Sequence, residues 1–123
     1  MEFAVVATLF ATLLAGILEF GRVWSAANLL NAAARDGARL AAVIDKSDRQ
    51  SAVKARVEST AATYFAGKDL KIQVNNGKAA SGEPIVTVAA TGTLNMLFGN
   101  WLLGKSVDLY RSATMRDETV AGP

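Results

Sequence analysis

An uncharged apolar run from Phe3 to Leu18, flanked by Glu2 and Glu19, constrains the fold of this chain more than any other feature of its sequence. As an α-helix the run would span roughly 24 Å, and the apolar character that continues through Val23 to Leu30 extends it beyond the thickness of a bilayer. No Pro interrupts residues 1–44, so the sequence predicts one helix about 60 Å long. Because a carboxylate beside an apolar run is costly unless a partner neutralises it, Glu2 indicates assembly rather than catalysis.

The apolar run is patterned by residue size. Two rows of small residues repeat at every fourth position, and large residues occupy the positions between them. Such rows allow close approach of another helix, which favours helix-on-helix packing over a plain membrane anchor. A cleaved signal peptide is disfavoured because no Lys or Arg precedes the run and no small-residue cleavage site follows Leu18. The small rows are Ala4, Thr8, Thr12, Gly16 and Ala7, Ala11, Ala15, and the large residues are Phe3, Val6, Phe10, Leu13 and Ile17.

After residue 25 the helical pattern becomes amphipathic. We predict a membrane or helix-bundle segment at residues 1–25, an amphipathic continuation at 26–45 and a globular head at 46–123. The basic and acidic ladder of Arg35, Asp36 and Arg39 either faces solvent or contacts the head or another subunit. The predicted apolar stripe consists of Leu29, Ala33, Gly37, Leu40, Ala41 and Ile44.

The head is predicted to contain one helix and three strands. Ser47 or Asp48 is a candidate N-cap for a helix over about 48–66, which Gly67 would stop. Alternating side chains then predict antiparallel strands over about 69–76, 85–93 and 106–116. A turn signal at residues 75–77, with Gly82 and Pro84 completing a longer loop, predicts a hairpin between the first two strands. The fold class is therefore α+β, with the second half of the long helix packed on a small antiparallel sheet and a second helix.

The apolar segment Leu94 to Gly104 lies between the last two predicted strands. Gly99 and Asn100 interrupt it, so it is a poor transmembrane span and a better covering loop or short helix. Two interpretations stay open: Phe98 and Trp101 pack on their own domain, or they contact a partner.

Composition excludes several classes of function. The 13 basic and 11 acidic residues are spread along the chain, so no basic patch indicates nucleic-acid binding. The chain has no Cys and no His, which excludes disulfides, thiolate or imidazole catalysis and the usual zinc sites. Ser51 and Lys54 stand three apart, but that spacing is common on solvated helices. We expect no enzymatic activity, no catalytic residues, no metal and no cofactor.

Four motifs in order resemble one known family. They are EFAVV at Glu2–Val6, GILEFGR at Gly16–Arg22, AARDGARLAA at Ala33–Ala42 and SATMRDE at Ser112–Glu118. Together they resemble the TadE-like pilins and pseudopilins of tight-adherence type IV pilus systems. The resemblance covers the long helix and the last strand, whereas the middle of the chain is similar only in layout.

The resemblance implies a type IV pilin-like fold and a subunit of an extracellular filament that supports adhesion. Such a subunit starts as an inner-membrane precursor, is processed by a prepilin peptidase and is assembled by an inner-membrane platform onto other copies or other pilins. Glu2 would then meet the N-terminal amine of an adjacent subunit. The implied interface residues are Glu2, Phe3, Val6, Ala7, Phe10, Ala11, Leu14, Gly16, Ile17, Glu19, Phe20 and Arg22.

Three points within this resemblance stay open. Glu19 and Arg22 stand three apart, so they either form a local ion pair or each reach a neighbouring subunit. The family places three more residues before its glutamate, so the chain either starts downstream of the mature end or is processed differently. The chain is either the main repeating subunit or a minor one; its length leans slightly toward a minor subunit, since the main subunits of these systems are usually much shorter, and both alternatives are kept.

An alternative function is a single-pass membrane-anchored envelope protein. In that alternative the head is a binding module for a secretion or pilus-assembly machine, and the apolar run stays in lipid.

Overall fold

A computed structural model of the chain describes residues 1–65, 69–98 and 106–117. A long helix is followed by a second helix and by three antiparallel strands in the spatial order β1-β2-β3. This arrangement confirms the predicted α+β fold class. The elements are α1 (Glu2–Val43), α2 (Lys46–Ala61), β1 (Leu70–Lys78), β2 (Pro84–Asn95) and β3 (Ser106–Arg116).

Helix α1 is continuous through the predicted boundary near residue 25, and its two halves have different surroundings. Residues 1–18 are almost entirely exposed, whereas the second half packs on α2 and on the sheet. Since the helix has 42 residues, it is about 63 Å long. The first half therefore projects beyond the head.

The buried face of α1 differs from the predicted stripe. Ala33, Gly37 and Ala41 are buried as expected, but Leu29 and Leu40 are only partly buried. Small residues occupy the contact because α1 lies close to its neighbours: a Cβ at Gly37 would lie 2.6 Å from Val57 Cγ2. The other buried residues of this face are Ala26, Ala27, Leu30, Ala34, Ala38 and Ala42.

Helix α2 begins and ends earlier than predicted. Asp45 is the N-cap, with extended backbone angles, so Ser47 and Asp48 lie within the first turn, where the Asp48 carboxylate complements the helix dipole. At the other end, the amides of Tyr64 and Phe65 both donate to Ala61 O. This turn ends the helix and directs the Phe65 side chain into the core.

The turn between β1 and β2 lies in the part of the predicted loop that contains Gly82, not at residues 75–77 where the turn signal begins. Residues 75–77 pair with Ile85, Val86 and Thr87, so β1 continues to Lys78. The turn follows at residues 79–83, where Ala79 N donates to Glu83 O at 2.8 Å and Gly82 has a φ of 87°. A positive φ is readily adopted only by Gly, which explains why the chain reverses here.

The core lies between the two helices and one face of the sheet. Strand β2 is central and contributes most of the buried side chains of the sheet. Strand β1 adds the buried Leu70, and β1 and β3 also add partly buried side chains. The buried members from these elements are Leu30, Val53, Val57, Ala61, Phe65, Leu70, Val86, Val88, Ala90 and Leu94.

Candidate functional site

The predicted interface residues of the apolar run form an exposed surface on the first half of α1. Every one from Phe3 to Ile17 is exposed and lies away from the head core. The Thr8 hydroxyl donates to Ala4 O at 2.7 Å and the Thr12 hydroxyl to Thr8 O at 2.8 Å. Because these bonds satisfy both hydroxyls within the helix, the small-residue rows suit an apolar environment.

Glu2 lies in the first turn of α1 and is exposed. A carboxylate at this position complements the positive end of the helix dipole. Among the described residues, the ion pairs involve Glu19, Asp36 and Asp117 but not Glu2. In the described part of the chain, Glu2 thus lies at the exposed start of the helix and is not among the ion-paired carboxylates.

Glu19 and Arg22 connect α1 to the segment that follows β2. The Glu19 residue is only 6 % exposed, and its carboxylate accepts the amide of Leu97 at 3.0 and 3.2 Å and that of Phe98 at 3.4 Å. Arg22 Nη1 lies 3.2 Å from Glu19 Oε1 and also donates to Asn95 O at 2.8 Å. The local pair thus exists, and it also fixes the end of the sheet to the helix. We name this set of contacts the neck clamp.

Replacing Glu19 with Leu removes the acceptor for both amides of the neck clamp. Because these hydrogen bonds involve a charged acceptor, we expect the free energy of unfolding to fall by about 1.5–3 kcal/mol. Amide hydrogen exchange at Leu97 and Phe98 should accelerate in the full chain in detergent micelles. Glu83→Gln, in the exposed turn, is the matched control, and unchanged exchange at Leu97 in Glu19→Leu would refute the clamp.

The charged ladder on the second half of α1 divides between the head and solvent. Asp36 Oδ2 accepts a hydrogen bond from Arg56 Nε of α2 at 2.6 Å, and this bond raises the pKa of Arg56 above its usual value. Arg35 and Arg39 are exposed and line a groove of about 390 Å³ together with residues 112–115 of β3. Asp36 therefore contacts the head, as one of the two interpretations held.

Phe98 and Trp101 were the candidate contacts of the segment after β2. Phe98 is exposed and lines a cavity of about 460 Å³ with Gly16, Glu19 and Phe20. Trp101 lies outside the described residues. The described apolar surface of this segment thus adjoins the exposed half of α1.

A buried ion pair was not predicted from the sequence. Arg49 donates to both carboxylate oxygens of Asp117, at 3.0 and 3.1 Å, and also to Ile44 O and to Asn76 Oδ1. Both charged residues are 1 % exposed. The spacing of four that joins Arg49 to Val53 and continues through α2 is the signal that places this arginine on the buried face.

The features described so far are an exposed apolar helix surface and contacts between that helix and the head. Among the described residues, no group of three or more acidic, His or Cys side chains is placed to hold a metal ion. In the same described part, α1 is the one helix long and apolar enough to cross a membrane by length and composition. Its first half is therefore compatible with a membrane anchor.

Comparison with known proteins finds a match that lies in helix α1. No curated protein and no solved structure matches the chain. Residues 1–39, which contain the apolar run and the neck residues Glu19 and Arg22, match the model of the family described as TadE-like protein. That match confirms the resemblance over this segment: the N-terminal helix of the chain is TadE-like.

Proposed function

We propose that this chain is a minor, pilin-like structural subunit of a type IV pilus-like filament of a tight-adherence system, with no enzymatic role. Its N-terminal helices would form the filament core and its heads would face outward, where they support surface attachment. Before assembly the first half of α1 would lie in the inner membrane. The observation that supports this proposal most is a TadE-like helix whose apolar half is exposed along its whole length.

The exposed half of α1 requires a cover. Burying a large apolar side chain is worth about 1.5–3 kcal/mol, and this half exposes many of them, including Phe3, Phe10 and Ile17. Lipid can supply that cover in the membrane. A helix that leaves the membrane needs an equivalent surface, which neighbouring helices provide when small residues such as Ala7 and Ala11 permit close approach.

Glu2 is the position with the sharpest expected effect on assembly. In an apolar helix bundle the carboxylate is tolerated when it meets a cation of the adjacent subunit, and it then sets the register of the two helices. Replacing it with Gln leaves that cation unpaired. Since each 1.4 kcal/mol changes an equilibrium tenfold, we expect incorporation into surface filaments to fall by at least about tenfold.

The measurement is the amount of the chain in sheared surface filaments relative to the membrane fraction of cells with an intact pilus system. The Glu2→Gln variant should accumulate in the membrane, while the control Glu83→Gln, which changes an exposed turn residue, should assemble normally. Assembly of Glu2→Gln at the unmodified level would contradict the proposed role of this carboxylate.

A further inference from the structure

Four large apolar side chains are exposed where the projecting half of α1 meets the head. Phe20 is 68 % exposed, Trp24 62 %, Leu97 61 % and Phe98 47 %. The rings of Phe20 and Trp24 stack with their centroids 6.1 Å apart, while Phe20 and Phe98 line the same cavity. We name these four residues the apolar foot.

The neck clamp fixes the height of the apolar foot along α1. Because the amides of Leu97 and Phe98 both donate to the Glu19 carboxylate, their side chains lie at the level of residues 19–24 of the helix. This is the end of the head nearest to the projecting apolar half. Whatever surrounds that half at the end nearest to the head therefore also meets Leu97 and Phe98.

The length of the apolar run indicates that a bilayer reaches this level. The run from Phe3 to Leu18 spans roughly 24 Å, whereas the hydrocarbon core of a bilayer is about 30 Å thick. An apolar run that is shorter than the hydrocarbon core is accommodated when the bilayer thins locally or when the residues after Leu18 move toward the membrane. Both adjustments bring Phe20 and Trp24 to the interface, where aromatic side chains are favoured.

The charged side chains at the level of the apolar foot, Glu19 and Arg22, are compatible with the membrane–water interface. Glu19 would be costly near lipid as an isolated carboxylate, but here it accepts two backbone amides and lies 3.2 Å from Arg22. Arg22 in turn donates to Asn95 O. The polar groups of the neck thus have partners within the chain, while the four side chains of the apolar foot are exposed.

We propose that the apolar foot is a second membrane contact, which inserts Leu97 and Phe98 into the boundary between headgroups and acyl chains beside α1. This inference rests on the membrane-bound state of the proposed function and adds that the head is held against the bilayer at two places. Because α1 and the head form one packed unit, this second contact would fix the tilt of the head relative to the bilayer before assembly.

Site-specific labelling tests the contact, because the chain has no Cys and each introduced one is unique. Leu97→Cys keeps the backbone amide that the neck clamp uses. Ser81→Cys, in the exposed turn at the opposite end of β2, is the matched control, and Phe10→Cys reports on the anchor itself. Each full-length variant is labelled with bimane and reconstituted at low protein density in vesicles of unmodified or brominated phospholipid.

The label at residue 97 should be quenched several-fold more by brominated lipid than the label at residue 81, and it should be protected from aqueous iodide. If iodide quenches the label at residue 97 while brominated lipid quenches the label at residue 10, the proposed membrane contact of the apolar foot is wrong, although α1 is still anchored in the membrane. Protection of residue 97 from both quenchers also overturns it, since another copy would then cover the surface. Iodide quenching at both residues 10 and 97 refutes the membrane-bound state itself.

Discussion

Replacing Arg49 with Ala is expected to lower the free energy of unfolding by about 3–5 kcal/mol, because it leaves the Asp117 carboxylate buried without its bidentate partner. The arginine joins four parts of the chain: α2, the end of β3, Asn76 of β1 and Ile44 at the junction of the helices. Its loss should therefore loosen the head as a whole rather than one contact.

Denaturant unfolding of the full chain in detergent micelles, followed by far-ultraviolet circular dichroism, measures this effect. Arg56→Ala is the matched control, because it removes an exposed pair with Asp36, and exposed ion pairs contribute little to stability. The double variant Arg49→Met, Asp117→Leu removes both buried charges and should recover much of the stability that Arg49→Ala loses. A loss in Arg49→Ala no larger than that in the control would show that the buried pair does not stabilise the head.

Replacing Phe65 with Ala should cost about 3–5 kcal/mol of unfolding free energy, since the ring fills the space between α2 and the central strand. Its partner surface is Gly92: a Cβ built there would lie 2.5 Å from Phe65 Cε1. Gly92→Ala should consequently cost about 1–3 kcal/mol through overpacking.

A double-mutant cycle measures the interaction between Phe65 and Gly92 separately from the destabilisation that each substitution causes alone. In the Phe65→Ala background the added methyl at residue 92 enters the vacated space. The unfolding free energy lost by the double variant should therefore be smaller than the sum of the losses of the two single variants, by at least about 1 kcal/mol. Gly77→Ala is the control, because its nearest neighbour atom would be Ile85 Cγ1 at 4.0 Å, and we expect a change within about 0.5 kcal/mol. Additive losses would mean that Phe65 and Gly92 do not pack as described.

Local periodicity predicted the elements better than their ends. Leu70, Ile72 and Val74 alternate with polar residues, and the structure pairs them in β1 as the alternation indicated. The predicted loop began too early, at residues 75–77, because pairing with β2 continues through them and a tertiary ladder outweighs the turn preference of Asn and Gly; its later part, around Gly82, is where the chain reverses. The early end of α2 likewise depends on Phe65 entering the core.

The neck clamp and the buried pair show what sequence reasoning could not reach. The motif made Glu19 and Arg22 candidates, but the amides that Glu19 accepts lie 78 and 79 residues away. Arg49 and Asp117 stand 68 residues apart, and arginine is mostly exposed in proteins, so neither residue signalled a buried partner. Contacts of this separation are set by the strand order, which no local pattern specifies.

The proposed function makes its most direct claim about the surroundings of the apolar half of α1 in the assembled state. Electron cryo-microscopy of filaments purified from cells with an intact pilus system, with the head of this chain marked by an inserted epitope at the residue 79–83 turn, measures those surroundings. We predict that Phe3–Phe20 lies buried against the N-terminal helices of neighbouring subunits. Filaments that lack the marked chain, or that leave this segment facing lipid or solvent, would contradict the proposal and favour the membrane-anchored binding module.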